Sequence, residues 1–240
     1  MPSSVKSRVK NAYAVGARST GRVLVRSRLM AEKPPERGKR ARHWLHSLTR
    51  VHDSLAIAEL DVPWWTYRAV DVVDVWLAAR PEPARVFEYG SGASTIWLAR
   101  RAAEVHSVEH HPGFGAMMSE RLSGEGNVHL EVVEATLSTQ PSVASGKEDY
   151  AGLDFAAYVD AMDAVEGTFD LVVVDGRARE ACLAKAVPRL SRGGIVVYDN
   201  SARRRYRRAI EGCGLHEHAF RGLTPTLPYP DQTSVLVAPR

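Results

Sequence analysis

The chain has 240 residues, 45% of them apolar and 25% charged, a balance that suits one α/β domain with an N-terminal extension and excludes a disordered chain. Its apolar runs, such as Leu171–Val174 and Ile195–Tyr198, fall far short of the roughly 20 residues that cross a bilayer. The net charge of +4 is uneven, because residues 1–50 carry 13 Lys or Arg against Glu32 and Glu36, a balance of +11 that leaves −7 for the rest.

In chain order, residues 1–40 read as a basic arm that ends in a linker rich in Pro34, Pro35 and Gly38. Its composition resembles a transit segment, a reading that nothing else in the chain supports. Residues 41–80 read as helices that pack on or cap the following domain. One runs over about 42–60, and a second runs from Asp61 or Pro63 to Ala79, with Trp65, Ala69, Val72, Val73 and Trp76 at helical spacing. From residue 81 to residue 240, short apolar runs alternate with helical segments. Strands are expected at 85–89, 104–108, 128–133, 169–175 and 194–199, and two more near 215–220 and 233–238. Leu137–Asp149 reads as a polar excursion ahead of a helix containing Phe155, Tyr158, Val159 and Met162. The repeated βα pattern implies a doubly wound, mostly parallel sheet of the Rossmann-like kind, with helices on both faces. Cys182 and Cys213 lie far apart and give no sign of a disulfide framework, which favours a reducing, cytoplasmic setting. The nine histidines show no zinc-type sequence spacing, and His216 and His218 fall on one face of a strand.

The most informative string is VFEYGSGAST, Val86–Thr95. A strand runs into two glycines, Gly90 and Gly92, which permit a tight turn and close approach of a ligand to the backbone. Ser94 is placed to cap the next helix. A dinucleotide fingerprint would have a third glycine where Thr95 stands, and Glu88 would repel a pyrophosphate laid on the helix N-terminus. A cationic sulfonium ligand with an α-amino group suits that carboxylate. Glu109 ends the second strand, where a carboxylate takes ribose hydroxyls in either kind of site. Glu134 and Ala135 close the third strand and are candidates to border an adenine.

The strings FEYGSGAST, SVEHH (Ser107–His111), FDLVVVDGRAR (Phe169–Arg179) and GGIVVYDNS (Gly193–Ser201) follow one another in the order and spacing of the class I S-adenosylmethionine-dependent methyltransferases, which the stretch from about Pro63 to Val237 resembles. The resemblance implies a seven-stranded sheet whose last strand is antiparallel. It also implies that Glu88, Gly90, Gly92 and Glu109 hold S-adenosylmethionine. The PWWTY string, Pro63–Tyr67, resembles a helix that closes over the cofactor in some relatives, which makes Trp65, Thr66 and Tyr67 lid candidates; the alternative is plain packing.

Asp175 ends the fourth strand, and Asp199 and Asn200 end the fifth. If those strands are neighbours, three oxygen-bearing side chains converge beside the methyl donor, a hard donor set suited to Mg²⁺ or another divalent cation. This is similar to the metal-dependent catechol-type O-methyltransferases. The departure is that Gly176, Arg177, Ala178 and Arg179 follow the first Asp where those relatives have a lysine, and arginine is a poor base. The competing reading makes Asn200 or Ser201 a helix cap and leaves the aspartates, Asp175 among the cofactor's neighbours, lining the pocket without metal. In RRRYRR, Arg203–Arg208, Arg203 and Tyr206 are candidates to bind an anionic small-molecule acceptor, against the alternative of a solvated helix face. No aromatic platform points to sequence-specific nucleic-acid binding; the basic arm is suited to weak association with anionic surfaces. Two rival functions remain open, an NAD-type oxidoreductase and a non-catalytic cofactor-binding module.

Overall fold

The computed structural model describes residue 27, residues 33–50 and residues 60–239. Most of the basic arm and part of the helix expected over 42–60 lie outside the described residues. Runs of β-branched residues make the central strands. β6 (Phe169–Val174) and the second half of β7 (Leu190–Asp199) are buried on both faces, as strands in the middle of a parallel sheet must be. β1 (Arg85–Tyr89), β2 (Glu104–Glu109), β3 (Val128–Val132), β8 (His216–Gly222) and β9 (Asp231–Val237) complete a seven-stranded sheet of order β3-β2-β1-β6-β7-β9-β8. The pairs among β1, β2, β3, β6 and β7 are parallel, and β9 runs antiparallel to both of its neighbours. The strand order reverses between β1 and β6, which opens a crevice at their carboxyl ends.

The pleat sends alternate side chains to two cores. Val86, Leu171, Val173 and Val197 face α2 (Tyr67–Ala78) and α3 (Ala93–Ala99). Phe87, Tyr89, Val172 and Val174 face α5 (Ala156–Asp160), α6 (Arg179–Ala186) and α7 (Arg204–Gly212). α4 (Pro112–Leu122) packs Met118 and Leu122 beside Ile96 of α3.

Three features differ from the sequence reading. First, α2 begins at Tyr67, not near Pro63. Asp61 adopts a left-handed backbone (φ 49°). Thr66 is extended, with its N–H donated to Thr233 Oγ1 at 3.0 Å on β9. The helix therefore buries Tyr67, Ala69, Val70, Val73 and Leu77, while Val72 stays exposed. Second, the excursion after Leu137 is closed by a short antiparallel pair, β4 (Thr136–Leu137) with β5 (Leu153–Asp154). Asp154 gathers it by accepting the N–H groups of Ser142 and Val143 at 2.8 and 3.1 Å. Third, residues ahead of 41 already pack on the domain. Arg37 reaches Asp71 and Asp74, and α1 (Arg40–Ser47) docks Trp44 Nε1 on the Leu227 carbonyl at 2.9 Å. No helix among the described residues is long and apolar enough to cross a membrane.

Candidate active site

β1 delivers the glycine loop to the crevice. Gly90 has φ 96°, and a Cβ added there would come 2.7 Å from Gly176 Cα, so the loop after β1 lies directly on the loop after β6. Gly92 is different: its backbone is extended, and an added Cβ would meet nothing within 4 Å. Gly92 heads α3, and its N–H is capped by Thr95 Oγ1 at 2.8 Å. Thr95, whose place a third glycine would take in a dinucleotide loop, is the residue that fixes this turn.

Glu88 does not face the crevice. It is fully buried beneath the loop and accepts hydrogen bonds from Ser94 Oγ and Thr95 Oγ1, each at 2.5 Å, and from Ser107 Oγ at 2.8 Å. Burial pushes its carboxyl up to about 7 against the pull of these three hydroxyls. Ser94 correspondingly orients Glu88 and does not cap α3. The direct contact between Glu88 and a ligand's amino group expected from sequence gives way to a positioning role.

A cavity of about 950 Å³ opens over Gly90, Ser91, Gly92 and Ser94, within the size range of small-molecule sites. Glu109 lines it from the end of β2. Burial pushes this carboxyl up, but the His110 ring and the backbone N–H of His111, which donates at 2.8 Å, outweigh burial and hold it below the ordinary range. An ionised carboxylate facing a cavity is suited to paired hydroxyl donors. Ser91 Oγ and Trp64 Nε1 are buried, line the same cavity and have no hydrogen-bond partner among the described residues. Buried polar groups of this kind call for a ligand or water. The Gly90–Ser94 cradle, the ionised Glu109 and these two orphaned groups fit an adenosyl amino acid.

Other expected cofactor and lid residues lie elsewhere. Glu134 is exposed past the end of β3, and Ala135 packs against the core; neither lines the cavity. Trp65 is wholly buried against Trp97, with ring centroids 5.8 Å apart. Thr66 donates to the Phe220 carbonyl, and Tyr67 Oη lies 2.7 Å from His43 Nδ1. The side chain at the cavity wall is Trp64, one residue earlier, because residues 61–66 are not helical.

Across the cavity stand Asp175, Gly176, Arg177, Asn200, Arg203 and Tyr206. Asp175 and Asp199 end adjacent strands as expected, but Arg179 lies between those ends. This buried guanidinium donates to Asp175 Oδ1 at 2.6 Å, to the Asp175 carbonyl at 2.6 Å and to the Asp199 carbonyl at 2.5 Å. Both Asp199 oxygens are occupied, by Thr233 Oγ1 at 2.7 Å and by Asn200 Nδ2 at 2.7 Å. Asn200 turns its amide nitrogen, a donor, toward Asp199 and Asp231. Burial and the neighbouring Asp175 push Asp199 up to about 8. Burial also pushes Asp175 up, with Arg179, Arg177 and Arg203 pulling it back. A divalent ion at Asp175, Asp199 and Asn200 would compete with these donors, the Arg179 guanidinium first among them. Asn200, with φ 52°, serves the turn after β7.

The remaining charged groups on this side are cationic. Arg177 stacks over Tyr150 (4.8 Å to the ring centroid), as does Lys147 (5.1 Å), both from or against the excursion after β4. Arg203 is exposed at the rim and Tyr206 is buried beneath it. The rest of the arginine run divides as an amphipathic helix should: Tyr206 and Ile210 face inward, and Arg207 pairs with Glu217 at 2.7 Å. Arg203 and Tyr206 were foreseeable from sequence, whereas Arg177, Lys147 and Tyr150 were not assigned to the site.

Residues 87–201 match the family model described as a methyltransferase domain. Among solved structures, an O-methyltransferase from Bacillus cereus in complex with SAH is 14% identical with a TM-score of 0.56, over 94% of this chain and 100% of that one. A cofactor-bound protein from MTB is 19% identical with a TM-score of 0.53, over 95% of this chain and 89% of its own. A methyltransferase-like protein from Silicibacter pomeroyi is 23% identical with a TM-score of 0.44, over 70% of this chain and 86% of its own. The first two likenesses show a common fold. No curated protein matches the sequence.

Proposed function

Building on the S-adenosylmethionine-dependent methyltransferase domain that this chain carries, we propose that it methylates an oxygen of a small anionic acceptor. The observation that carries this reading is the wall of Arg177, Arg203 and Lys147 opposite the glycine loop. When bound, S-adenosylmethionine supplies an electrophilic methyl group on a sulfonium. The acceptor oxygen would take that methyl as the carbon–sulfur bond breaks with its electrons going to sulfur, leaving a neutral thioether.

Such a displacement needs alignment and exclusion of water more than acid–base chemistry. Gly90–Ser94 and Glu109 hold the donor, while Arg177 and Arg203 orient the acceptor's charge. Arginine does not act as a base near neutral pH, but positive potential keeps an acidic oxygen ionised. A carboxylate or acidic hydroxyl then arrives without a proton to lose. Asp175 stays bound to Arg179 as a strut between β6 and β7, and no step is assigned to a metal. The basic arm, residues 1–40, is proposed as an electrostatic tether to anionic surfaces, separable from the chemistry up to Arg37.

The test is transfer of labelled methyl to a panel of carboxylates, phenols and neutral sugars, with and without EDTA. The expected products are esters or ethers of the acidic members, formed equally in EDTA. Transfer confined to neutral acceptors, or abolished by chelation, would overturn the proposal.

A further inference from the structure

At the opposite end of β2 from Glu109, sheet register gathers three residues that are dispersed in sequence. Glu104 and His106 lie two residues apart on one face of β2, and β3 sets His129 directly beside His106. The two imidazoles stack with centroids 4.8 Å apart and planes 21° apart. Both Nε2 atoms approach one atom, Glu104 Oε1, at 2.9 Å from His106 and 3.5 Å from His129. All three donor atoms lie within 4.8 Å of one another. Ligands bound at 2.0–2.1 Å in a tetrahedral zinc site are about 3.3 Å apart, a value that the two contacts to Glu104 Oε1 bracket.

A His106–Glu104 pair alone does not account for the cluster, because His129 Nε2 from the neighbouring strand approaches the same carboxylate oxygen. The other carboxylate oxygen is already committed: Arg85 Nε donates to Glu104 Oε2 at 2.8 Å, and Arg85 is itself anchored on the Glu166 carbonyl at 2.6 Å. This second contact fixes the carboxylate with Oε1 turned to the two imidazoles, as outer-shell partners do in metal sites. A cavity of about 260 Å³ opens beside both imidazoles, and the half-exposed His129 leaves a path for an ion with its remaining waters.

We propose that Glu104, His106 and His129 bind one borderline divalent transition-metal ion of the zinc class. Two imidazoles and one carboxylate select such an ion over Mg²⁺ or Ca²⁺. The site lies about 16 Å from Glu109 along β2, five residues at about 3.3 Å each, and ties the edge strand β3 to β2 without reaching the methyl-transfer cavity.

The experiment titrates Zn²⁺ calorimetrically, and Co²⁺ by its visible absorption, into the full chain and into His129→Ala, with His218→Ala as a control at the other histidine pair. The expected result is one ion per chain, weakened by on the order of 10-fold or more in His129→Ala and unchanged in His218→Ala. Affinity for S-adenosylhomocysteine, read in the same variants, should stay at the wild-type value, since His129 is half exposed and remote from the cavity. No zinc binding by the wild-type chain, or equal binding by His129→Ala, would overturn the proposal.

Discussion

Replacing Gly90 and Gly92 separately by alanine should affect stability very differently, although the two glycines share one loop. At Gly90 the backbone has φ 96°, and the new Cβ would sit 2.7 Å from Gly176 Cα and 2.8 Å from Gly176 N. Both atoms are backbone, so no side chain can swing aside. The left-handed conformation costs about 1–3 kcal/mol, and forcing apart two packed loops adds a similar amount. With a urea m-value of about 1–3 kcal/mol/M, the unfolding midpoint should fall by roughly 1 M or more. At Gly92 the backbone is extended and the space around the Cβ is open. Loss of its helix-capping preference costs at most about 1 kcal/mol, while the added methyl lies on a loop that lines the cavity. Urea unfolding and calorimetry with S-adenosylhomocysteine on both variants separate the effects: Gly90→Ala loses stability and affinity together, and Gly92→Ala loses affinity with its midpoint nearly intact. A neutral Gly90→Ala, or a Gly92→Ala as unstable as Gly90→Ala, would refute the reasoning.

The buried Glu88 makes stability depend on pH. Its folded pKa of about 7 lies above the ordinary 4.5, so the folded chain binds the proton more tightly, and this group's contribution, about 3 kcal/mol, is fully present below pH ~4.5 and lost as pH rises through 7. Chemical denaturation from pH 5 to 8 should show a shallower decline in Glu88→Gln than in the wild type. Arg179→Ala leaves Asp175 unpaired and should destabilise the chain by roughly 3–5 kcal/mol, measured by urea midpoint. Arg177→Ala and Arg203→Ala should raise KM for the acceptor with the S-adenosylhomocysteine Kd unchanged; a changed Kd with an unaltered KM would put these arginines on the wrong side of the cavity.

The sheet was legible because its strands are dense in β-branched residues and its turns carry glycine, and Glu109 was legible because it ends a strand. The signals that misled were local ones. Pro63 reads as a helix start, but Thr66 is tied to β9 by a tertiary hydrogen bond, so the helix starts later and Trp64 replaces Trp65 at the cavity. Glu88 has the right charge for a sulfonium, yet the pleat turns it inward to three hydroxyls, Ser107 of β2 among them, that only strand register brings together. Arg179 reads only as a poor base in a stretch where a lysine is expected, and its role as the cation between β6 and β7 exists only once those strands are neighbours. Lys147 and Tyr150 sit in a polar excursion whose return to the site depends on the two-residue strands β4 and β5.

The central claim, that the cavity between β1 and β6 holds an adenosyl sulfonium through the glycine loop and Glu109, is tested most directly by calorimetric titration of S-adenosylhomocysteine and of NAD into the wild type and Glu109→Ala. Losing hydrogen bonds to a charged group costs about 1.5–3 kcal/mol, roughly a 10- to 100-fold loss of affinity. The expected result is saturable binding of S-adenosylhomocysteine by the wild type, weakened by that factor in Glu109→Ala, and no binding of NAD. Saturable NAD binding with no response to S-adenosylhomocysteine would contradict it.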